Sequence, residues 1–325
     1  MIGSLGVIMF KFRWFCALIP VSFVWGSVNE PVRWEWETGY RNDRLHWHLQ
    51  NPGDQSSLTY SERYRDLQFW ENALTARVIH RDIAFFVRGS YGAFGKGSLK
   101  QKYADLNFTP DTPIFSWQPS SWNLGGWSYL GYSVDLTADR TYHVILIPMI
   151  GYGVDFEQMD REGNHTLTGT AASPTQSFSM TSMLPGFERM CWFGPLFGGL
   201  FIIQPGGRVQ FEAGYAYHRL NLRFRSKKQY DVALYSMNGD LLCVSEQIEK
   251  IRVKEGANLA HTGWARMDYT LSKAWRIGLE TQIKYFGSRV LNAVIKNETT
   301  SQKTKQKFKA RWTAVSGAFM LSRTF

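Results

Sequence analysis

The sequence lacks the features that mark several large classes of protein. Only three of its 325 residues are cysteine, which excludes a disulfide-rich secreted scaffold. Beyond residue 26, no apolar run approaches the roughly 18 to 20 residues of a transmembrane helix. There is no P-loop, no glycine pattern of a dinucleotide fold before a helix, no CxxC pair and no HExxH. These absences disfavour helical membrane proteins and the common nucleotide- and zinc-dependent enzymes, and we predict no cofactor.

A basic and then apolar segment opens the chain and is typical of a secretory signal peptide. Lys11 and Arg13 precede the apolar run WFCALIPVSFVW, after which small residues suit a cleavage site. We therefore predict a cleaved signal peptide over residues 1–26, with Met9 as an alternative start. Residues 27–325 are predicted to form a single exported domain.

Cleavage would remove two of the 37 cationic residues and none of the 27 acidic ones, which leaves a net charge of +8. On an exported protein this excess favours outer-membrane lipid and lipopolysaccharide headgroups as partners, and we predict no binding to nucleic acid. Cys191 and Cys243 remain after cleavage. They either pair or stay as two thiols, and the sequence leaves both open.

Aromatic residues are abundant, with 22 Phe, 15 Tyr and 13 Trp, and they recur with a period of two. In residues 142–157 one face is apolar or aromatic, and the other includes Asp155 and Glu157. The segments 209–218 and 275–285 alternate in the same way. Strands of soluble proteins average only about five or six residues. Longer alternating runs with aromatic ends are typical of membrane-spanning β-strands.

Turn residues divide this pattern into ten segments, an even number as in bacterial outer-membrane barrels. The predicted strands are 33–48, 59–77, 82–92, 122–137, 141–158, 190–203, 208–225, 260–271, 275–288 and 307–325. Short links at 79–82, 137–140, 204–208 and 272–275 alternate with long polar segments at 93–121, 159–189, 226–259 and 289–306. We predict an all-β fold: a transmembrane antiparallel β-barrel of about ten strands in up-and-down order, with short periplasmic turns and long extracellular loops.

Charged residues recur on the face opposite the apolar one and are predicted to line the barrel lumen. They are Glu35, Glu37, Asp155, Glu157, Arg208, Glu212, Arg266, Asp268, Arg276, Glu280 and Lys284. Such charges must pair or border water. Ten strands give an interior between that of filled eight-stranded barrels and that of open sixteen-stranded ones. We therefore predict a narrow charged lumen that passes small hydrophilic solutes by porin-like passive diffusion.

Two other functions stay open beside the porin. The omptins are ten-stranded outer-membrane proteases that combine paired carboxylates with an Asp-x-His couple. The present chain has neither pattern near a strand end, although Asp155, His218, Asp231 and Asp240 would be candidates if the fold brought them together. An omptin-like protease and a closed, surface-binding barrel of the adhesin type are the alternatives. We predict no catalytic residues.

His46 and His48 are two residues apart and therefore share one face of the first predicted strand. Such a pair would supply half of a metal site. No third ligand stands at a convincing spacing, so we favour hydrogen-bonded histidines of the lumen or rim and predict no metal ion.

The chain ends in one further alternating strand, WTAVSGAFMLSRTF. Phe319, Leu321 and Phe325 share one face and resemble the C-terminal signal read by the barrel-assembly machinery, although Arg323 departs from the usual apolar choice. We expect this strand to close the barrel against the strand that begins near Arg33, so that no edge is exposed. The predicted location is the bacterial outer membrane, with the oligomeric state left open.

Short motifs along the chain resemble the Protochlamydia outer membrane protein (Pom) family. Residues 38–49, TGYRNDRLHWHL, match its first motif at Gly39, Tyr40, Arg41, Asp43, Leu45 and Trp47. Residues 58–74 match a second at Ser61, Glu62, Asp66 and Leu67, and CWFGPLFGGLF matches a third at Trp192, Gly194 and Pro195. IPMIGYGVDFEQ is similar to a further strand of that family. The resemblance implies an outer-membrane barrel, with porin roles assigned to some members, and it implies no catalytic residue.

Overall fold

All regular structure in the described part of the chain is β-strand. The computed structural model describes residues 32–50, 58–80, 82–103, 122–137, 142–161, 165–170, 176–236, 241–253 and 256–325. The strands are β1 Arg33–Gln50, β2 Leu58–His80, β3 Ile83–Tyr103, β4 Trp122–Tyr132, β5 Val134–Asp135, β6 His143–Arg161, β7 His165–Thr170, β8 Gln176–Gln204, β9 Val209–Ser236, β10 Leu241–Val253, β11 Ala257–Thr270, β12 Trp275–Gly287, β13 Leu291–Asn297 and β14 Lys303–Thr324. None of the described residues forms a helix long and apolar enough to cross a membrane. The predicted signal peptide lies outside the described residues.

Ten of these strands pair in a ring. Antiparallel neighbours follow the order β1, β2, β3, β4, β6, β8, β9, β11, β12, β14. β14 then pairs with β1 along its whole length, from Arg33 opposite Thr324 to Gln50 opposite Lys307. The predicted all-β antiparallel barrel is confirmed, and the last strand meets the first as expected. Within the described residues, each strand of the ring therefore has a hydrogen-bonded neighbour on both sides, as a membrane-spanning sheet requires.

At the end of the ring away from the chain termini, the strands run further than the alternating pattern predicts. β3 ends at Tyr103 rather than near residue 92, β8 begins at Gln176 rather than 190, and β9 continues to Ser236 rather than 225. β7, β10 and β13 lie inside segments predicted to be long loops, and β10 and β13 bridge the upper parts of β9 and β14. The outward face is polar there, so the apolar alternation fades although the backbone pairing continues.

The opposite, periplasmic end has short connections, as predicted. In the β8–β9 turn, Gly206 and Gly207 have φ angles of 79° and 93°, a region that only glycine enters at little cost. The predicted strand 122–137 is interrupted at Ser133, whose amide donates a hydrogen bond of 2.6 Å to the carbonyl of Asp82 in the adjacent β2–β3 connection.

A belt of exposed apolar side chains surrounds the ring. Exposed aromatic residues mark its extracellular boundary at Tyr40, Trp70, Tyr91, Tyr152, Tyr215 and Tyr285 and its periplasmic boundary at Tyr132, Phe211, Tyr269, Trp275 and Phe325. Phe319 and Leu321 of the predicted assembly signal face outward in this belt with Phe325; their role in assembly stays a prediction. Apolar side chains between two aromatic boundaries are the pattern of a lipid-facing barrel surface.

Along a strand the same alternate residues point inward from end to end, but their chemistry changes. The inward side chains are charged in the lower half and apolar in the upper half, and the outward side chains change in the opposite sense. In β1 the odd-numbered residues point inward throughout, from Glu35 in the lower half to Trp47 in the upper half. The even-numbered residues point outward, from exposed Tyr40 at the edge of the belt to exposed Arg44 beyond it. β9 and β14 invert in the same way. The interior is therefore charged within the belt and apolar above it.

Candidate functional site in the barrel interior

Six charged side chains, which we call the lower ion cluster, fill the interior near its periplasmic end: Arg33, Glu35, Arg77, Glu212, Arg266 and Asp268. Arg266 contacts Glu35 at 2.7 Å and Asp268 at 2.7 Å. Arg77 joins Glu35 to Glu212, at 2.9 and 2.7 Å. The cluster holds three cations and three anions, so its formal charge is balanced, as burial of such groups demands.

Arg88 and Arg41 hold the next layer. Arg88 contacts Glu37 at 2.6 Å and Glu280 at 2.9 Å. Arg41 contacts Glu71 at 2.9 Å and Asp43 at 2.6 Å. Glu71 also lies 3.5 Å from Arg88, so the two guanidinium groups share a carboxylate. These ion pairs tie the walls of the barrel together through its centre.

Above this layer the interior is a packed apolar core with many aromatic rings. Trp47 is fully buried and lies 5.1 Å from the ring of Phe224 and 5.8 Å from that of Phe308. Phe286 stacks on Trp312 at 4.7 Å. The core also includes Leu45, Leu49, Tyr60, Tyr64, Leu67, Phe69, Met159, Met190, Trp192, Leu220, Leu222, Ile251 and Val253. This aromatic core packs the barrel interior toward its extracellular end.

A small polar group is embedded in the aromatic core. The Tyr64 hydroxyl lies 2.7 Å from a Glu62 oxygen and 2.6 Å from a Glu188 oxygen. The indole nitrogen of Trp47 donates to Glu188 at 3.1 Å. Lys228 contacts Glu62 at 2.8 Å and lies 3.6 Å above the ring of Tyr60. Burial is tolerated because each carboxylate has several partners.

Among the described residues, two small cavities lie within these layers. One cavity among Glu37, Arg88 and Trp127 leaves about 10 Å³ for the centres of water molecules. A second cavity, beside Gly39 and Glu71, is of the same size. Each volume accommodates about one water molecule. A hydrated path for solutes would need far more room.

The structure places most residues of the predicted lumen inside the barrel and engages them in contacts with one another. Glu35, Glu37, Asp155, Glu157, Glu212, Arg266, Asp268, Glu280 and Lys284 are all at most 9% exposed. Lys284 contacts Asp155 at 2.8 Å. Both oxygens of Glu157 are buried without a hydrogen-bond partner in the described part of the chain.

Two residues of that prediction are less enclosed. Arg208 is exposed and belongs to the β8–β9 turn, one residue before β9 begins, so its place in the lumen stays a prediction. Arg276 is half-buried and donates to Gln210 at 2.8 Å.

Sequence reasoning missed several charges of the interior. Arg33, Arg41 and Asp43 share the alternation of Glu35 on β1 and are detectable from that signal. On β2 the alternation is broken by a bulge, since Arg65 and Asp66 stand opposite the single residue Arg44. The break shifts the inward positions by one, which hides Glu62. No local pattern indicates that Glu188 and Lys228 would meet it.

The candidates for an omptin-like site are enclosed. His218 is 6% and Asp155 9% exposed, and His218 is hydrogen-bonded to the Thr262 hydroxyl at 3.0 Å. The Asp231 side chain and Asp240 lie outside the described residues. The side chain of Cys243 is also outside the described part of the structure. Whether Cys191 and Cys243 form a disulfide or stay as two thiols therefore remains open.

His46 and His48 lie on the outer wall rather than in the lumen, with ring centroids 5.5 Å apart. Within the described ranges, no group of three or more His, Cys, Asp or Glu side chains is placed to hold a metal ion.

One carboxylate at the periplasmic end has a perturbed pKa. The hydroxyl and amide of Thr137 donate hydrogen bonds to Asp135 at 2.6 and 2.9 Å, and His143 lies 3.0 Å from it. These bonds, the Thr137 hydroxyl first, lower the pKa of Asp135 from 3.8 to about 2. Asp135 is exposed beyond the belt and therefore serves the turn rather than the interior.

Comparisons with known proteins agree with this architecture. The sequence model of the family described as Protochlamydia outer membrane protein matches residues 35–325. Comparison with curated proteins finds no similar sequence. The outer membrane protease OmpT from Escherichia coli is similar in structure, with a TM-score of 0.62 and 9% identity over 92% of this chain and 99% of that chain. At that identity the likeness shows the fold alone. The toluene transporter TodX of P. putida matches with a TM-score of 0.35 and 10% identity over 94% of this chain and 92% of that chain, which is too low to support an argument.

Proposed function

Because this chain belongs to the Protochlamydia outer membrane protein family, a family of outer-membrane β-barrels, we propose that it is a closed barrel that binds a partner at its extracellular surface. The observation that carries the proposal is the filled interior. The lower ion cluster, the Arg88 and Arg41 layer and the aromatic core lie one above the other, so three barriers of different chemistry stand in series. We also propose that residues 1–26 act as a cleaved signal peptide for export and that the barrel-assembly machinery recognises the last strand.

The electrostatics of the interior argue against passive diffusion of solutes. A porin keeps its lumen charges beside water, whereas Arg266 and Glu35 are at most 3% exposed and bonded to each other. Separating such a pair without a new partner costs about 3–5 kcal/mol. An open pathway would have to break several of these pairs and also the aromatic core. Porin-like diffusion, which the sequence pattern favours, is therefore the less supported function.

The extracellular part of the barrel supports a role in binding. A tilted strand needs about 9 to 11 residues to cross the membrane, but β8 has 29 residues and β9 has 28. The surplus of both strands lies above the aromatic boundary. The aromatic core stiffens this extension from within. A long extension of the barrel with a packed interior is suited to present a binding surface outside the membrane, whereas a pore does not need it.

A proteolytic function receives less support. OmpT is an outer membrane protease with a similar fold, but His218 and Asp155 lie in the packed interior, where a peptide has no access. We expect no cleavage of a denatured protein substrate by the refolded barrel. Cleavage that disappears in Asp155→Ala and His218→Ala variants of intact fold would instead establish an enzyme.

Single-channel conductance of the refolded protein tests the closed barrel directly. The same preparation tests binding, since intact bacteria or host cells that retain the folded protein, and not the heat-denatured one, would show an active extracellular surface. Conductance steps from the folded fraction would contradict the proposal.

A further inference from the structure

A recess on the outer wall of the barrel is lined by arginines of three adjacent strands. We call it the basic recess: Arg44, Leu45 and His46 of β1, Arg63, Tyr64, Arg65 and Asp66 of β2, and Arg311 and Thr313 of β14. Its volume is about 490 Å³. Arg44, Arg63, Arg65 and Arg311 are all exposed. The four arginines point away from the interior, so the recess opens on the outer wall, whereas Leu45 and Tyr64, which also line it, belong to the aromatic core.

A bulge in β2 shapes the recess. Between the pairs Asp43–Leu67 and Leu45–Tyr64, β1 has one residue, Arg44, whereas β2 has two, Arg65 and Asp66. Asp66 has a φ of 53°, a conformation that residues other than glycine adopt rarely. Bulges of this kind redirect side chains and are retained as features of a fold. Here the bulge brings two neighbouring side chains of β2 toward the same opening as Arg44.

The recess has a strong excess of positive charge. Arg311, His46 and Arg63 lie in one row across β14, β1 and β2. Among the described residues, Arg44, Arg63 and Arg311 take part in no ion pair. The one acidic side chain that lines the recess is Asp66. These three guanidinium groups, on a surface with space between them, favour an anion with several oxygen atoms.

The height of the recess matches the lipid headgroups. Tyr40 marks the extracellular edge of the belt on β1, and Arg44 follows on the same face four residues later. On β14, Val315 is exposed in the belt and Arg311 lies four residues beyond it. Four residues of strand span about 13 Å, or about 10 Å along the membrane normal at a tilt near 40°. The polar layer of one leaflet is about 5–7 Å thick, so the backbones of Arg44 and Arg311 lie just beyond it, and a long arginine side chain reaches back to the headgroups.

We propose that the basic recess binds the phosphorylated headgroup of an outer-leaflet glycolipid. Arg44, Arg63 and Arg311 donate hydrogen bonds to the phosphate oxygens, and guanidinium forks suit such oxygens. The acyl chains of the same lipid lie on the belt below, beside Tyr40 and Val315. The inference goes beyond the proposed surface function, since it concerns the wall of the barrel and holds whether or not the interior conducts.

Native mass spectrometry of the detergent-solubilised full chain tests this site with bisphosphorylated lipid A as the probe. A variant with Arg44→Gln, Arg63→Gln and Arg311→Gln is compared with one with Arg208→Gln, Lys273→Gln and Lys303→Gln, which loses three exposed cations elsewhere. Each cation close to an anionic lipid surface strengthens binding roughly fivefold. We therefore expect about a hundredfold weaker binding of lipid A by the first variant and unchanged binding by the second.

Two further ligands separate the sources of phosphate. Dephosphorylated lipid A is expected to bind the wild-type protein no better than lipid A binds the recess variant. Inorganic pyrophosphate is expected to compete weakly because it lacks the acyl chains. Equal lipid A binding by both variants, equal binding of the dephosphorylated lipid, or pyrophosphate binding as tight as that of lipid A would each overturn the proposal. Heat-modifiable electrophoretic mobility verifies that both variants are folded.

Discussion

Arg266 and Glu35, 231 residues apart in the chain, form a bidentate pair in the lower ion cluster, with nitrogen–oxygen distances of 2.7 and 3.0 Å. The pair connects β11 to β1 through the interior, although these strands are not neighbours in the ring. A contact of this kind crosses the interior and forms only when the barrel is closed into a ring. It therefore reports on the closed fold, and under the proposed function it also contributes to blocking the lumen.

Removing one member of this pair should be more harmful than removing both. Arg266→Met leaves a buried carboxylate short of a partner and is expected to lower the free energy of unfolding by about 3–5 kcal/mol. Arg266→Met with Glu35→Leu restores equal numbers of cations and anions and should lose less. Urea unfolding in lipid vesicles measures both, with exposed Lys273→Met as a control within about 0.5 kcal/mol of wild type. A double variant less stable than the single one would contradict the balanced cluster.

The aromatic core should depend on Trp47. Trp47→Ala leaves a cavity among Phe224 and Phe308 and is expected to cost about 3–5 kcal/mol. Trp70→Ala is the matched control, because Trp70 is 57% exposed in the belt and lipid fills the space it leaves. If both substitutions cost the same in the unfolding measurement, Trp47 is not in a packed core.

The Tyr64 hydroxyl should stabilise the polar group inside that core. The Tyr64 hydroxyl lies within hydrogen-bond distance of both Glu62 and Glu188 and donates its single proton to one of them. Tyr64→Phe removes this donor and is expected to cost about 1–3 kcal/mol, the usual penalty for a buried polar group left unsatisfied. Tyr40→Phe, at an exposed position of the belt, controls for loss of a hydroxyl and should change stability little. A neutral effect of Tyr64→Phe would show that water replaces the bond.

The Asp135 carboxylate should make stability depend on pH at the periplasmic end. Because folding lowers its pKa from 3.8 to about 2, its contribution is present above about pH 4 and is lost as the pH falls toward 2. Asp135→Asn should therefore reduce the urea midpoint at pH 6 and have no effect near pH 2. A difference between wild type and variant that stays constant over this range would assign the stabilisation to something other than the charge.

The lipid-facing half of the molecule was predictable from sequence, and the closure of the interior was not. Alternation from Glu35 onward predicts the barrel because each inward residue of a membrane strand contrasts with an outward apolar one. Above Asp43 the same alternation continues with reversed polarity, so that Leu45 and Trp47 point inward. Because the outward residues of such a stretch are polar, a search for outward apolar residues predicts that the strand ends there and a loop follows.

The partners in the interior are set by distant strands. Glu188 meets Tyr64 across 124 residues, and nothing within β2 or β8 indicates this pairing. The bulge at Asp66 changes the phase of β2, which local periodicity cannot follow. At Asp43 the inward positions of β1 change from charged to apolar while the alternation itself continues. Such a change in a sequence can be used to find filled extensions of outer-membrane barrels.

Single-channel recording on the refolded protein in planar bilayers tests the closed interior most directly. A sixteen-stranded porin refolded in the same detergent serves as the positive control, and heat-modifiable mobility verifies the folded fraction. We predict no stepwise conductance from the folded protein. Reproducible steps that track the folded fraction and disappear on heating would contradict the closed barrel.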